Sequence, residues 1–289
     1  MVLTNLQFFN TILLEEMTAK MQLNKLPASL GLALLLALLL LAVRPWPATE
    51  AEPVVIWGGP PTVKQVALTF DDGPSPHYTP EIMMVLHHYR AQATFFVLGE
   101  KVEKYPYLVH ALLGAGHEVG NHTFDHQRLT KIADPGRENE VERTAVDLDL
   151  LGDRTSRWIR PPFGSFDEHF QAYVAHTHGR IVLWSIDSGD WRGLGRDTIV
   201  KNVVNRVRPG AIVIFHDSDE TGKVDRRPTV EALKLIVPAL QRMGYRLVTI
   251  SQLVAGDSAP RPAVVQVAPH PAVKPRLDFG GSQIKSGSL

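Results

Sequence analysis

The chain has 289 residues, 44% hydrophobic and 21% charged, and thirty basic residues balance thirty acidic ones. That length suffices for one large domain or two small ones with a sizeable core, and the balance excludes a global field that would recruit nucleic acid or an anionic membrane. With no cysteine, thiolate catalysis, disulfides, cysteine-zinc sites and lipid attachment through a cysteine are excluded, so any metal must be held by His, Asp or Glu.

Leu30 to Val43 is an almost pure run of Leu, Ala and Val, preceded by Lys20 and Lys25 and followed by Arg44, Pro45 and Pro47. A membrane span needs about 20 apolar residues. This shorter run with its basic flank fits the core of a secretory signal, and Thr49 to Ala51 offer small residues for cleavage. An uncleaved anchor and a buried core helix are the alternatives. Met17 and Met21 each offer a more usual start for such a signal. Residues 1–51 are therefore expected to form an N-terminal extension that exports the protein to the periplasm, the exterior or the outer side of a membrane. Membrane contact is expected only if that segment stays uncleaved.

The folded unit is expected over 62–256. Val66 to Phe70 is a strand that ends in the turn signal Asp71-Asp72-Gly73-Pro74. Thr79 to Arg90 has helical spacing, with Ile82, Val85, Leu86 and Tyr89 on one face. Ala93 to Leu98 is a second strand, and Val102 to Leu113 a second helix stopped by Gly114 and Gly116. His117 to Gly120 reads as a strand, Glu138 to Leu151 as an amphipathic helix, and Trp158 to Arg160 as a brief strand before Pro161. A helix over Phe166 to His176 follows, then a strand over Ile181 to Ile186, a helix over Thr198 to Val207 and a strand over Ala211 to Phe215. Val230, Leu233, Val237, Leu240 and Met243 share a helix face that Pro238 should kink, and Arg246 to Ile250 is the last strand. From 257 to 289 a Pro- and Gly-rich stretch without a sustained period reads as a flexible tail.

About seven strands alternating with helices imply an α/β fold with a parallel sheet. Seven such units favour a closed or nearly closed barrel, in which functional groups sit just after the C-terminal ends of strands. Asp71 and Asp72 meet that rule, where one carboxylate can bind a metal while its neighbour addresses water; the same four residues also make a good plain turn. His122 and His126 follow a strand, and their spacing suits one face of a helical turn with both imidazoles on one metal; solvated loop histidines are the alternative. Asp72, His122 and His126 together make a two-His, one-carboxylate set that leaves coordination positions open. Asp125 between the histidines reads as solvated. Arg160 can clamp a carboxylate with two parallel hydrogen bonds, and Pro161-Pro162 can stiffen a loop that aims a backbone N–H at an oxyanion; a surface Arg before a turn fits equally. Trp191 beside Asp190 walls a pocket or belongs to the core. His216 at a strand end suits acid–base work near neutral pH, or is structural.

The ordered set TFDDGP (Thr69 to Pro74), HTFDH (His122 to His126), RPPFG (Arg160 to Gly164), DSGDW (Asp187 to Trp191) and IVIFH (Ile212 to His216) resembles the polysaccharide deacetylase family, the NodB-homology, carbohydrate esterase 4 group. The resemblance implies a distorted (β/α)7 barrel and a divalent metal, usually zinc, with cobalt or nickel as alternatives. It implies Asp72, His122 and His126 as metal ligands, Asp71 as general base and His216 as general acid. Arg160 then tethers the base, Asp190 tunes the acid, Phe163 offers a backbone N–H to the oxyanion where many relatives have Tyr, and Trp191 lines the acetyl pocket. The implied substrate is an acetylated polysaccharide such as peptidoglycan, chitin oligomers, poly-N-acetylglucosamine or acetylxylan. The expected protein is a monomer with no nucleic-acid partner. A same-fold amidohydrolase of small amides and a non-catalytic glycan-binding protein are the competing readings.

Overall fold

In the computed structural model, residues 54–152 and 157–256 are described. The apolar run expected to direct export and the tail from 257 lie outside these residues. Among the described residues no helix is long and apolar enough to cross a membrane.

The centre of the fold is β2 (Gln65–Gly73), buried at every position. Strands covered on both faces need near-continuous apolar sequence, and Val66 to Phe70 supplies it. On one side β2 pairs in parallel with β3 (Thr94–Val97), and on the other with β8 (Ala211–His216). Outward from β3 follow β4 (Glu118–Asn121), β5 (Trp158–Ile159), β6 (Arg180–Val182) and β1 (Val55–Ile56); β7 (Ile186–Asp187) lies beyond β8. β9 (Arg246–Leu247) pairs with the start of β2. Every strand pair is parallel.

The helices follow in alternation: α1 (Tyr78–His88), α2 (Gly99–Lys104), α3 (Pro106–Gly114), α4 (Gly136–Leu150), α5 (Glu168–His176), α6 (Arg196–Val204), α7 (Arg227–Arg242) and α8 (Ile250–Ala255). The chain is an α/β protein with a curved, barrel-like parallel sheet, as expected.

Side chains alternate across a strand, so β2 serves two cores. Val66, Leu68 and Phe70 face the helices, where Phe70 stacks on Phe95 and Phe215 with ring centroids 4.8 and 5.6 Å apart. Ala67 joins Phe96, Trp158, Val182 and Ile212 in a second cluster, to which α8 adds Ile250 and Leu253. Thr69 and Asp71 continue the Ala67 face toward the C-terminal end of the strand.

Several elements differ from expectation. The helix expected over Val102 to Leu113 is two, because Pro106 opens α3 as its first residue and Tyr105 before it leaves helical geometry. The strand expected over Arg246 to Ile250 stops at Leu247, since Thr249 caps α8 in a capping box with Gln252. The helix α7 runs through Pro238; burial of Val230, Leu233, Ile236, Val237 and Leu240 along it offsets the lost hydrogen bond. β1 lies ahead of residue 62 and pairs with β6.

The strand expected over Ile181 to Ile186 is the most informative difference. It is broken, and its two parts serve opposite ends of the sheet: β6 pairs with β5 and β7 with β8. The interruption at Leu183 to Ser185 is bridged by hydrogen bonds from the Leu183 N–H to the Ile56 carbonyl (2.8 Å) and from the Ser185 N–H to the Ile212 carbonyl (3.0 Å). One bent segment therefore runs from the β1 and β5 side of the sheet to the β8 side.

Phe95 is fully buried between Phe70 and His117. Phe95→Ala is expected to lower unfolding free energy by about 3–5 kcal/mol, read as a lower urea midpoint at unchanged slope.

Candidate active site and metal centre

Asp71 and Asp72 stand at the C-terminal end of β2, where Asp71 is in register with Phe96 on β3 and His216 on β8. Strict alternation would send neighbouring side chains to opposite faces. Instead Asp72 adopts a φ of 71°, a conformation rare outside glycine, and the pairing with β3 is irregular between Asp71 and Gly73. This twist lets both carboxylates serve one mouth. At Gly73 the Asp217 carboxylate occupies the place a Cβ would take, so the turn tolerates no side chain there.

His122 follows β4 directly. The expected helical turn between the histidines is absent: Thr123 has φ 71° and His126 φ 65°, so an irregular loop, and not helical periodicity, brings the imidazoles together. Asn121 Oδ1 accepts from the Thr123 N–H at 2.8 Å, and its Nδ2 donates to the Val141 carbonyl at 2.8 Å. Glu140 on α4 accepts from the N–H groups of Phe124 (3.0 Å) and Asp125 (3.1 Å). Asp125 itself is exposed and accepts from Gln127, as a solvated carboxylate should.

One ligand atom each from Asp72, His122 and His126 lies within 4.8 Å of the others. Asp72 Oδ1 is 3.3 Å from both His122 Nε2 and His126 Nε2. His122 Nδ1 sits 2.6 Å from the Arg160 carbonyl. A carbonyl only accepts, so Nδ1 carries the proton, and in the neutral ring the Nε2 lone pair points at Asp72. Asp72 Oδ1 is buried with no hydrogen-bond donor. Buried polar atoms ordinarily find partners, and lone pairs converging on one point call for a cation. The donor set thus fits a divalent metal held by two imidazoles and a carboxylate. Burial alone would raise the Asp72 pKa, but the surrounding imidazoles of His122, His216 and His126 hold the carboxyl well below its usual range. A second cluster, Asp134, Glu138 and His169, has a different character: it is largely exposed, and the Arg137 guanidinium already neutralises Asp134 at 2.8 Å.

Arg160, just past β5, is completely buried. Its Nη1 donates to Asp71 Oδ1 at 2.7 Å and to Thr69 Oγ1 at 2.8 Å; Nε and Nη2 donate to the carbonyls of Val182 (3.0 Å) and Leu183 (3.3 Å). The expected two-pronged clamp is therefore a single hydrogen bond to Asp71, because the other donors are taken by Thr69 and by the carbonyls at the end of β6. The guanidinium also lies over the Phe96 ring, 4.0 Å from its centroid.

His216 ends β8. Its Nδ1 lies 2.8 Å from Asp190 Oδ1, and its backbone N–H donates to Asp190 Oδ2 at 2.8 Å. Asp190 also accepts from Thr229 Oγ1 (3.0 Å) and Ser188 Oγ (3.1 Å). Burial disfavours the imidazolium, but the Asp190 charge and hydrogen bond outweigh it and push the His216 pKa up to about 9. Asp190 moves the other way: burial would raise it, and the His216 charge and hydrogen bond bring it below the usual carboxylate value.

Phe163 has φ 61° and is 55% exposed, with its ring against His126 at 4.8 Å. Trp191 is 53% exposed, so it belongs to the rim and not to the core; its Nε1 donates to Asp187 Oδ2 at 3.2 Å. Sequence reasoning missed the buried polar groups behind the site. Lys101 donates to the Asp72 carbonyl (2.8 Å) and Ser218 Oγ (2.9 Å) and also reaches the Asp219 carbonyl. Asp217 bonds Thr79, and burial raises its pKa to about 7. The position of Lys101 just after the second strand, at the same end as the motif residues, was the available signal.

The polysaccharide deacetylase family profile matches residues 58–181. The chain is 39% identical over 216 residues to a peptidoglycan-N-acetylglucosamine deacetylase of Bacillus cereus, covering 71% of this chain and 96% of that protein. It is 37% identical over 198 residues to a chitooligosaccharide deacetylase of Bradyrhizobium, covering 66% and 90%. The crystal structure of a peptidoglycan N-acetylglucosamine deacetylase superposes with a TM-score of 0.68 at 34% identity, covering 72% of this chain and 96% of that one. With the sheet, the strand-end residues and these likenesses in agreement, the chain belongs to the polysaccharide deacetylase family.

Proposed function

We propose that this protein is a metal-dependent deacetylase that acts outside the cytoplasm and hydrolyses the N-acetyl groups of a polysaccharide. The observation that carries this reading is one cluster at the barrel mouth. The ligand atoms of Asp72, His122 and His126 converge within 4.8 Å, flanked by Asp71 on Arg160 and by His216 on Asp190. The relatives' glycan substrates and the apolar run at Leu30 to Val43 support action on a glycan beyond the membrane. On this reading residues 62–256, extended at the front by β1, form the catalytic domain.

Asp72, His122 and His126 would hold the cation, zinc being the ion best suited to this donor set. Such an ion supplies Lewis-acid polarisation of the acetyl carbonyl and acidifies water. Asp71, oriented by the buried Arg160, takes a proton from the attacking water. The Phe163 N–H helps hold the negative charge that builds on the acetyl oxygen, and Trp191 walls the acetyl group. His216, kept cationic by Asp190, donates its proton to the sugar nitrogen as the C–N bond breaks. Acetate and a free amine leave, and proton return from Asp71 to His216 through solvent resets the site.

Acetate release from N-acetylated glycans by the metal-loaded full chain is the direct test. Exhaustive chelation is expected to abolish it and zinc to restore it; full turnover without metal would overturn the reading. His126→Ala should no longer retain metal through gel filtration while keeping the wild-type far-ultraviolet spectrum. His216→Ala should keep metal and lose about 10²–10⁴-fold in kcat.

The pH profile tests the His216–Asp190 pair. The acid works protonated, so activity falls as pH rises through its pKa, placing the alkaline limb of kcat near pH 9 in the wild type. Asp190→Asn removes the charge that raises this pKa. The falling limb should move down toward the ordinary imidazole value of 6.5; an unmoved limb would remove His216 from the role of acid.

A further inference from the structure

Two aromatic platforms stand at the rim, each with an arginine stacked on it. On one, Arg192 lies over Trp191 at 4.7 Å and is neutralised by Asp187, whose Oδ2 is 3.9 Å from Nη2. On the other, Arg128 lies over Phe163 at 4.2 Å. Among the described residues no carboxylate pairs with Arg128, and its side chain is exposed. The Phe163 ring touches His126 on its way to Arg128, so this cation borders the candidate metal centre. A further tie between the same two loops, the Thr130 and Ser165 hydroxyls 3.1 Å apart, supports the platform.

Stacking on an aromatic face fixes the plane of a guanidinium and leaves its N–H edge free for a planar anion. We propose that Arg128 reads a carboxylate on the glycan and selects acidic N-acetylated polymers, such as those with lactyl carboxylates, over neutral ones. This inference rests on the mouth being a glycan site. The unpaired charge carries it: the Arg192 platform has the same form but already holds its anion.

The test is binding, measured by calorimetry on the metal-loaded full chain carrying His216→Ala so that turnover does not intervene. The ligands are a tetrasaccharide of alternating N-acetylglucosamine and N-acetylmuramic acid and the methyl ester of its lactyl carboxylates. Esterification is expected to weaken binding about tenfold. Adding Arg128→Gln should weaken the acidic ligand by a similar factor and abolish the difference between acid and ester. If the Arg128→Gln protein still prefers the acid to the same degree, or if neither ligand binds at millimolar concentration, the proposal is overturned. Acetate release by the otherwise wild-type chain is scored separately. Charge-selective binding without acetate release from any glycan would sink the deacetylase reading and leave this one standing.

Discussion

Arg160 is a guanidinium enclosed at the centre of a barrel, with Asp71 as its counter-ion and Thr69, Val182 and Leu183 taking its other hydrogen bonds. A charge there is tolerable only because it is paired and almost every donor is used. Removing one partner of such a pair typically costs about 3–5 kcal/mol, since it strands the other charge. The same residue meets the candidate site twice. Its side chain aims Asp71, and its carbonyl sets the proton on His122 Nδ1 and so frees Nε2 for the candidate metal site. Asp71 and the candidate metal ligand His122 are therefore coupled through a single residue, which also ties the end of β5 to β6.

The strand order explains why four separated segments reach one point. β2 lies between β3 and β8, with β4 and β5 beyond β3, and in a parallel sheet all the C-terminal ends lie on one side. Asp71 and Asp72, His122, Arg160 and His216 each occupy such an end. The two titrating halves of the site stay distinct because their environments differ. His216 and Asp190 form a buried ion pair that favours the charged imidazole, whereas burial and the proximity of His122 lower the His126 pKa and keep it in the neutral form a metal needs.

Behind the visible motifs lies a polar layer that gives the loops their shape. Lys101 joins the turn bearing Asp72 to the loop after His216. Glu140 reaches from α4 to two N–H groups of the histidine loop. Thr69 passes the Arg160 hydrogen bond on to the Val213 carbonyl at 2.8 Å, tying β2 to β8. Functional constellations need this kind of support, because a ligand or base left to its own rotamers loses the geometry that makes it useful.

The amino-acid sequence by itself determined the parallel α/β architecture, since apolar runs alternating with amphipathic ones allow little else, and it placed every motif residue at a strand end. It could not show how the loops bend. The spacing of His122 and His126 suggested a helical turn, yet positive φ angles at Thr123 and His126 do the work, and those depend on contacts from α4 distant in the chain. Nor could it show that Arg180 to Asp187 is a broken strand whose halves pair with β5 and β8. Local pattern records burial and period; strand pairing, loop conformation and the hydrogen-bond partners of buried Arg160 and Lys101 are long-range choices, decided only when the tertiary structure brings those segments together.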